Sequence, residues 1–312
     1  MSGVYPDLIN IGKANGFRTQ YGGFTLDPCS EVRAYVRATQ PADMPLDIAN
    51  LWVADIPSAL ARCRSGRNDM VIVLAGHTEN VTSTTLANLV PGTRVVGVGR
   101  GSNRPNLRWT ATTSQFVMND ADCVFCNFIF RMEGAVVVKA IAVTAADCGI
   151  YNCDIDVGST ASTNLSTIGI SIEAGAHRFE LRDNYIHSIA GATPTQVIAI
   201  SGVSDGVIIN GNKILAATSA VAVGPIDITA AATGLEISVN SIQNRLASSE
   251  TCISCGAVAA TGLVYDNYCA TEAGTPVSDS IEFNAASLLR CFNNFSTDTK
   301  NTSGLLAPAV VV

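Results

Sequence analysis

An asparagine returns along this chain at nearly constant intervals, always in the same frame: apolar, any, apolar, two residues, Asn, any, apolar. The frame reads Phe179, Leu181, Asn184, Ile186, then Val207, Ile209, Asn212, Ile214, then Leu235, Ile237, Asn240, Ile242. Shorter copies are Val124 to Asn127 to Ile129, Val264 to Asn267 to Cys269, and, more loosely, Leu289 and Cys291 before Asn294. A further copy, Ile150 to Ile155, carries Cys153 at the marked place. The marked positions 127, 153, 184, 212, 240, 267 and 294 are 26, 31, 28, 28, 27 and 27 residues apart. Self-similarity at such a period is the signature of a stacked repeat, in which each unit buries its core only against its neighbours.

Within each period the apolar residues alternate and β-branched side chains dominate, so the unit is made of strands. A second run precedes each Asn frame: Ile168, Ile170 and Ile172; Ile198 and Ile200; Ile226 and Ile228; Ile253 and Cys255; Ile281 and Phe283. Turn pairs such as Asp205-Gly206, Thr233-Gly234 and Thr261-Gly262 separate the two. Each coil therefore has at least two strands and two corners. Coils stacked about 4.8 Å apart give a rod on the order of 40 Å long. The expected fold is all-β, a right-handed parallel β-helix solenoid. Equivalent amides then lie above one another at a corner and can hydrogen-bond along the stack. This makes Asn127, Asn184, Asn212, Asn240, Asn267 and Asn294 a structural ladder, not a ligand site.

Composition adds a second constraint. Charged residues are 14% and hydrophobic residues 47% of the 312 residues, against about 25% charged in ordinary soluble chains. A solenoid buries little surface per residue, so this imbalance predicts that part of the outside is covered by other subunits. The net charge of −7 and the lack of a Lys/Arg block argue against a nucleic-acid surface. Arg94, Arg100, Arg104 and Arg108 form the densest basic stretch and are expected to pair with neighbouring coils or a partner protein. No apolar run is long enough to cross a membrane, and the start, MSGVYPDLIN, has no signal core. Synthesis in a cytosol without secretory export is the expectation.

The ten cysteines include two CxxC pairs, Cys123/Cys126 and Cys252/Cys255, which raises a metal or disulfide reading. Aligning the coils weakens it: Cys148, Cys255, Cys269 and Cys291 fall where other coils carry Phe179, Ile200, Ile214 and Ile209. They read as small buried hydrophobes, and neither a metal nor another cofactor is expected.

Four segments follow. Residues 1–50 show no coil frame and read as an extended arm for anchoring to a partner. Residues 51–68 contain a short helical cap, with Asp55 as N-cap, Pro57 in the first turn and an end near Gly66. Residues 69–297 are the solenoid, and 298–312 end in the apolar tail GLLAPAVVV, either a cap over the last coil or a contact between chains.

The order helix, MVIVLAG strand, second strand and Gly-rich corner GVGRG resembles the start of proteins in the pectin-lyase-like superfamily. The resemblance spans roughly Asp55 to Phe295 and is closest to bacteriophage virion proteins. It implies a homotrimeric capsid decoration or cement protein, seated on the major capsid protein or another virion protein and located on the virion surface, with bacterial surface polysaccharide as a further partner. The rival implied by the same superfamily is a tailspike-type polysaccharide depolymerase.

The spacing of acids from coil to coil bears on catalysis. Glycoside hydrolysis needs two carboxylates about 5–9.5 Å apart. Glu180 and Glu236 share an outward position but lie two coils apart, and Asp183 and Asp266 lie three apart. Asp154 and Asp156 sit close together, beside the Tyr151 coil, and form the best candidate pair. The clustered calcium aspartates of pectate lyases and the motifs of pectin esterases are not visible. His77, His177 and His187 have no nucleophile partner at a recognisable spacing, and GVGRG lacks the helix that a phosphate loop needs. Trp52 and Trp109 precede the regular coils. Four N-x-S/T sequons, at Asn80, Asn164, Asn294 and Asn301, include one on the ladder, where a glycan has no room.

Overall fold

The computed structural model describes residues 19–21, 24–26, 32–39, 49–82, 89–134, 136–159, 165–189, 192–219, 223–245, 251–271, 280–296 and 309–311. They form a parallel β-solenoid of about 7 turns. Each regular coil contributes three strands, one to each of three parallel sheets. One coil runs from Glu180–Arg182 in sheet one, around Asn184, to Tyr185–Ser188 in sheet two and Gln196–Ile200 in sheet three. The next coil begins at Ile208–Asn210, paired in register with Glu180–Arg182. What reads in the sequence as one Asn-centred frame is thus two strands bent about the Asn, which accounts for the strand beyond the expected minimum.

The inward positions stack by residue type. In sheet three, Phe116, Ile141, Ile170, Ile198, Ile226, Ile253 and Ile281 lie in one column. In sheet two, Leu107, Phe130, Ile155, Ile186, Ile214, Ile242 and Cys269 do the same. Branched side chains repeated at one spacing can interdigitate, as close packing requires. Near the start of the rod the column widens to aromatics: Phe116 lies 4.5 Å from Phe125 and 5.9 Å from Phe130 between ring centroids. Trp109 is fully buried there and its indole N–H donates to the Ala140 carbonyl at 3.0 Å, so it is core.

The ladder is continuous from Asn184 to Asn294. From Asn212 onward each Oδ1 accepts from the backbone N–H and side-chain amide of the Asn one coil earlier, at 2.9–3.1 Å. Each Nδ2 also donates to a carbonyl of the preceding coil, such as Asn212 to Leu181 at 2.8 Å and Asn240 to Ile209 at 2.9 Å. The amide groups are satisfied although the side chains are buried. Cys153 holds the same position one coil before Asn184: its N–H donates to the Asn184 Oδ1 at 2.8 Å, and its sulfur accepts from Phe128 N–H at 3.4 Å.

Asn127 is not a rung, contrary to the sequence frame. The register Cys126 to Tyr151 to Arg182 aligns Asn127 with Asn152 and Asp183, one residue ahead of the ladder. These residues are the corner apices, with φ of 65°, 51° and 57°. Asn tolerates that left-handed conformation. Its side chain turns to the previous coil and donates to the carbonyls of Gly97 and Gly99 at 2.8 and 3.2 Å. Gly97 is required beneath it, because a Cβ there would lie 2.4 Å from the Asn127 carbonyl oxygen.

The start of the rod also differs from the sequence segmentation. Val32–Val36, placed in the arm by the pattern, is a strand of sheet one, paired parallel with both Met70–Val73 and Trp52–Val53. Ala34, Tyr35 and Val36 are buried. Thr19–Tyr21 and Phe24–Leu26 pair antiparallel, and residues 1–18 lie outside the described residues. Helix α1, Ile56–Leu60, is shorter than the pattern suggested. Asp55 caps it, Oδ1 accepting from Ser58 N–H at 2.7 Å, and Ile56, Ala59 and Leu60 close the end of the core. At the other end, Ala309–Val311 adds a strand to sheet three beside Ile281–Asn284, and the rest of the tail lies outside the described residues.

Nine cysteines are described and all are free thiols. Cys148, Cys255, Cys269 and Cys291 point inward at the expected columns, Cys291 half-buried in the last coil. Burial pushes the Cys148 and Cys255 thiols up to about 11, as inert core thiols require.

Candidate functional site

The outer face of sheet two gathers a set of ionisable side chains around the predicted acid pair. Strand Asp154–Gly158 pairs with Tyr185–Ser188, which sets Asp154 beside Tyr185 and Asp156 beside His187. His187 Nε2 lies 2.8 Å from Asp154 Oδ1. Two arginines approach the other carboxylate oxygen, Arg104 at 3.4 Å and Arg131 at 3.9 Å. The His187 ring stacks on Tyr185 with centroids 4.7 Å apart, and Lys213 Nζ stands 5.5 Å from the Tyr185 centroid.

The two aspartates are driven in opposite directions. Burial pushes Asp154 up, but the hydrogen bond with His187 and the charges of His187, Arg131 and Arg104 together outweigh it, so its carboxyl sits below the ordinary value. Burial raises Asp156, only partly offset by the Gly158 N–H that donates to its Oδ1 at 2.9 Å. Carboxylates pushed apart in this way separate an acid from a base. Access works against that use: Asp156 is 3% exposed, and Asp154 already holds three partners. His187, set aside in the sequence for want of a nucleophile, is the residue the fold adds to the pair.

A second concave place lies on the outer face of sheet three. It is a groove of about 350 Å³ lined by Asp227, Thr229, Ser254, Cys255, Glu282 and Asn284, with Val223 and Gly256. Asp227, Ser254 and Glu282 are stacked in register, which sets the two acids two coils, roughly 10 Å, apart. Asp227 accepts from Ser254 Oγ at 2.7 Å and from Gln196 Nε2 at 2.5 Å, and Glu282 from Thr251 Oγ1 at 3.4 Å. The signal for this pair was present in the second apolar run, where Asp227, Ser254 and Glu282 each sit between two inward residues.

The other predicted acids are dispersed. Glu180 and Glu236 share a column two coils apart. Glu180 accepts from Arg182 Nε at 2.7 Å and Tyr151 Oη at 3.1 Å, Glu236 from Tyr265 Oη at 2.9 Å. Asp183 and Asp266 are corner apices with φ of 57° and 53°. His77 is buried against Glu79, whose Oε2 also accepts from Ile56 N–H at 3.0 Å and so holds the start of α1. Gly97–Gly101 is a corner leading into the three-residue turn Gly101–Asn103. Asn294 is fully buried, while Asn164 and Asn301 lie outside the described residues.

No protein family matches this chain, and neither the curated proteins nor the solved structures contain a match.

Proposed function

We propose that this chain is a structural component of a bacteriophage particle, a trimeric β-helical decoration or cement protein on the pectin-lyase-like scaffold that docks on the capsid and adsorbs bacterial surface glycan. The observation that supports it best is how the outer charges are used. They link one coil to another: Arg94 to Asp122 at 2.6 Å, Arg108 to Glu133 at 3.0 Å, Lys139 to Glu173 at 2.8 Å, and Arg178 to Asp147 through two bonds of 2.6 and 2.7 Å. Such surface pairs each contribute little. The pairs tie together the earlier coils and the Asn ladder the later ones, so along its length the rod resists shear between coils, which is what a mechanical element requires.

Attachment through several contacts at once multiplies weak affinities, with the N-terminal residues as the anchor. Removing residues 1–18 is the test. The shortened chain is expected to keep its thermal transition and to be lost from particles, whereas normal incorporation contradicts the anchor.

The depolymerase reading keeps one specific support, the opposed carboxylates Asp154 and Asp156 beside His187. Incubation with host capsule or lipopolysaccharide, following new reducing ends, decides it. Release abolished by Asp154→Asn would favour the enzyme over the structural element.

A further inference from the structure

The last two coils carry their aromatics on the outside. Tyr265 and Phe292 occupy adjacent coils on the outer face of sheet one, rings parallel within 5° and 5.0 Å apart. Immediately past the corner, Tyr268 and Phe295 are paired in register on the outer face of sheet two. Leu263 extends the strip on the first face, and Val239 stands at the apex one coil earlier. Tyr268, Phe292, Phe295, Leu263 and Val239 are 48%, 44%, 51%, 41% and 56% exposed. In the three coils before the strip the Tyr265 column is polar, with Arg182, Asn210 and Ser238, and in the two coils before it the Tyr268 column holds Lys213 and Ser241; Tyr151 and Tyr185 return to these columns further up. Other exposed apolar residues, such as Val138 and Val203, lie elsewhere on the rod; the exposed aromatics gather at this end and wrap one corner.

Large apolar side chains carry roughly 150–250 Å² each, so a strip about half exposed offers on the order of 500 Å² of apolar area. That is about the size of the largest apolar patch on a typical monomer, which is often a functional surface. A standard interface takes about 800 Å² from each partner, a little over half of it apolar. The strip is large enough to hold a specific partner.

Its shape selects the partner. A two-fold dimer joins the same patch on both copies, for which one flat face suffices. In a three-fold bundle each copy touches two neighbours through two different surfaces, which meet at the corner directed to the axis. Here both faces flanking one corner carry exposed aromatics, with Arg290 beside Leu263 at the far edge of the first, and the corner itself carries the ladder residues Asn267 and Asn294.

We propose that the aromatic corner formed by Tyr265, Tyr268, Phe292 and Phe295 is where three copies of this chain meet, side by side, around a common axis at the C-terminal end of the rod. This rests on the trimeric reading given above and assigns the surface that makes it. Asp266, at the apex of that corner, brings three carboxylates close together, so the contact is held by apolar burial against like-charge repulsion.

Sedimentation velocity of the full chain over a hundredfold concentration range tests this, with melting curves as the check on folding. The wild type is expected to be a trimer. Phe292→Ser with Phe295→Ser should raise the dissociation concentration by roughly 100-fold or more, since buried aromatics dominate interface energies. The variant should still melt cooperatively, at a lower temperature than the wild-type trimer because association no longer adds stability, and its melting should not depend on concentration. Val203→Ser, at a residue 63% exposed on another corner, should leave the trimer intact, and Asp266→Asn should tighten it. A wild-type trimer unaffected by the double substitution overturns the assigned surface while the trimeric reading stands. A wild-type dimer overturns the three-fold geometry, and a wild-type monomer throughout overturns both.

Discussion

Replacing Asn212 by alanine removes one rung from the middle of the ladder, and its cost follows from four named groups. The Asn184 backbone N–H and Nδ2 both donate to the Asn212 Oδ1 at 3.0 Å, and the Asn212 Nδ2 donates to the Leu181 carbonyl and the Asn240 Oδ1 at 2.8 and 3.0 Å. Asn184, Asn212 and Asn240 are at most 2% exposed, so water does not take over these partners. An unpaired buried polar group costs about 1–3 kcal/mol. The Asn240 Oδ1 keeps its bond from the Asn212 N–H at 2.9 Å, which limits the loss. Two stranded donors and one under-used carbonyl then give about 3–6 kcal/mol, before any void left by the side chain. Guanidinium unfolding followed by far-UV circular dichroism measures it, with exposed Ser241→Ala as the control, expected within about 0.5 kcal/mol. A loss under about 1 kcal/mol for Asn212→Ala would refute the view that the amides satisfy otherwise orphaned groups.

The converse substitution, Cys153→Asn, supplies the missing rung below Asn184 and is expected to stabilise the rod by about 1 kcal/mol, read by the same denaturation; destabilisation would mean that the coil has closed around sulfur. Asp154→Asn should cost about 1–3 kcal/mol at pH 7. Because the Asp154 carboxyl is held below its ordinary value, its contribution is present above the unfolded value near 3.9 and fades as pH falls through the folded one. The variant and wild type should therefore converge in acid. For Asp156, raised by burial, the sign reverses: Asp156→Asn should gain stability over wild type as pH rises through the elevated value, and thermal melts between pH 3 and 8 separate the two cases. Extending the N-terminal truncation from 18 residues to 50 removes the buried Val32–Val36 strand and should lower the melting temperature, which the shorter truncation leaves unchanged.

The architecture was legible because a solenoid repeats its physics. One alternation of inward isoleucines, read coil by coil, predicts the columns of sheets two and three, and even the inward cysteines fall into them. Legibility failed where the coil is irregular. Asn127 lies three residues after Val124, as ladder residues lie after their inward apolar residue, but Val124 packs outside with Tyr35, Ile72 and Val96, and the inward residue is Phe125. Without neighbours of known register, an asparagine at the apex and one on the rung look alike. Val32–Val36 was missed because its partner strands begin 38 and 20 residues further on, at Met70 and Trp52, outside any period.

The site was less legible than the fold. Asp154 and Asp156 were found because they are two residues apart, whereas His187 and Arg104 are 33 and 50 residues from Asp154. Only the stacking of coils brings them within bonding distance. Asp227 and Glu282 were within reach of the same reasoning, since both occupy the outward position of the second run. The paired aromatics at the end of the rod carry no motif at all, and their meaning comes from exposure on two faces of one corner.

Everything proposed for this chain depends on its low charge being matched by burial between copies. Light scattering of the purified wild-type protein at several concentrations tests that most directly. The account predicts a molar mass three times the 32.5 kDa of the chain, independent of dilution through the micromolar range. A particle that stays at 32.5 kDa at every concentration would contradict it and would turn attention back to Asp154, Asp156 and His187 as chemistry.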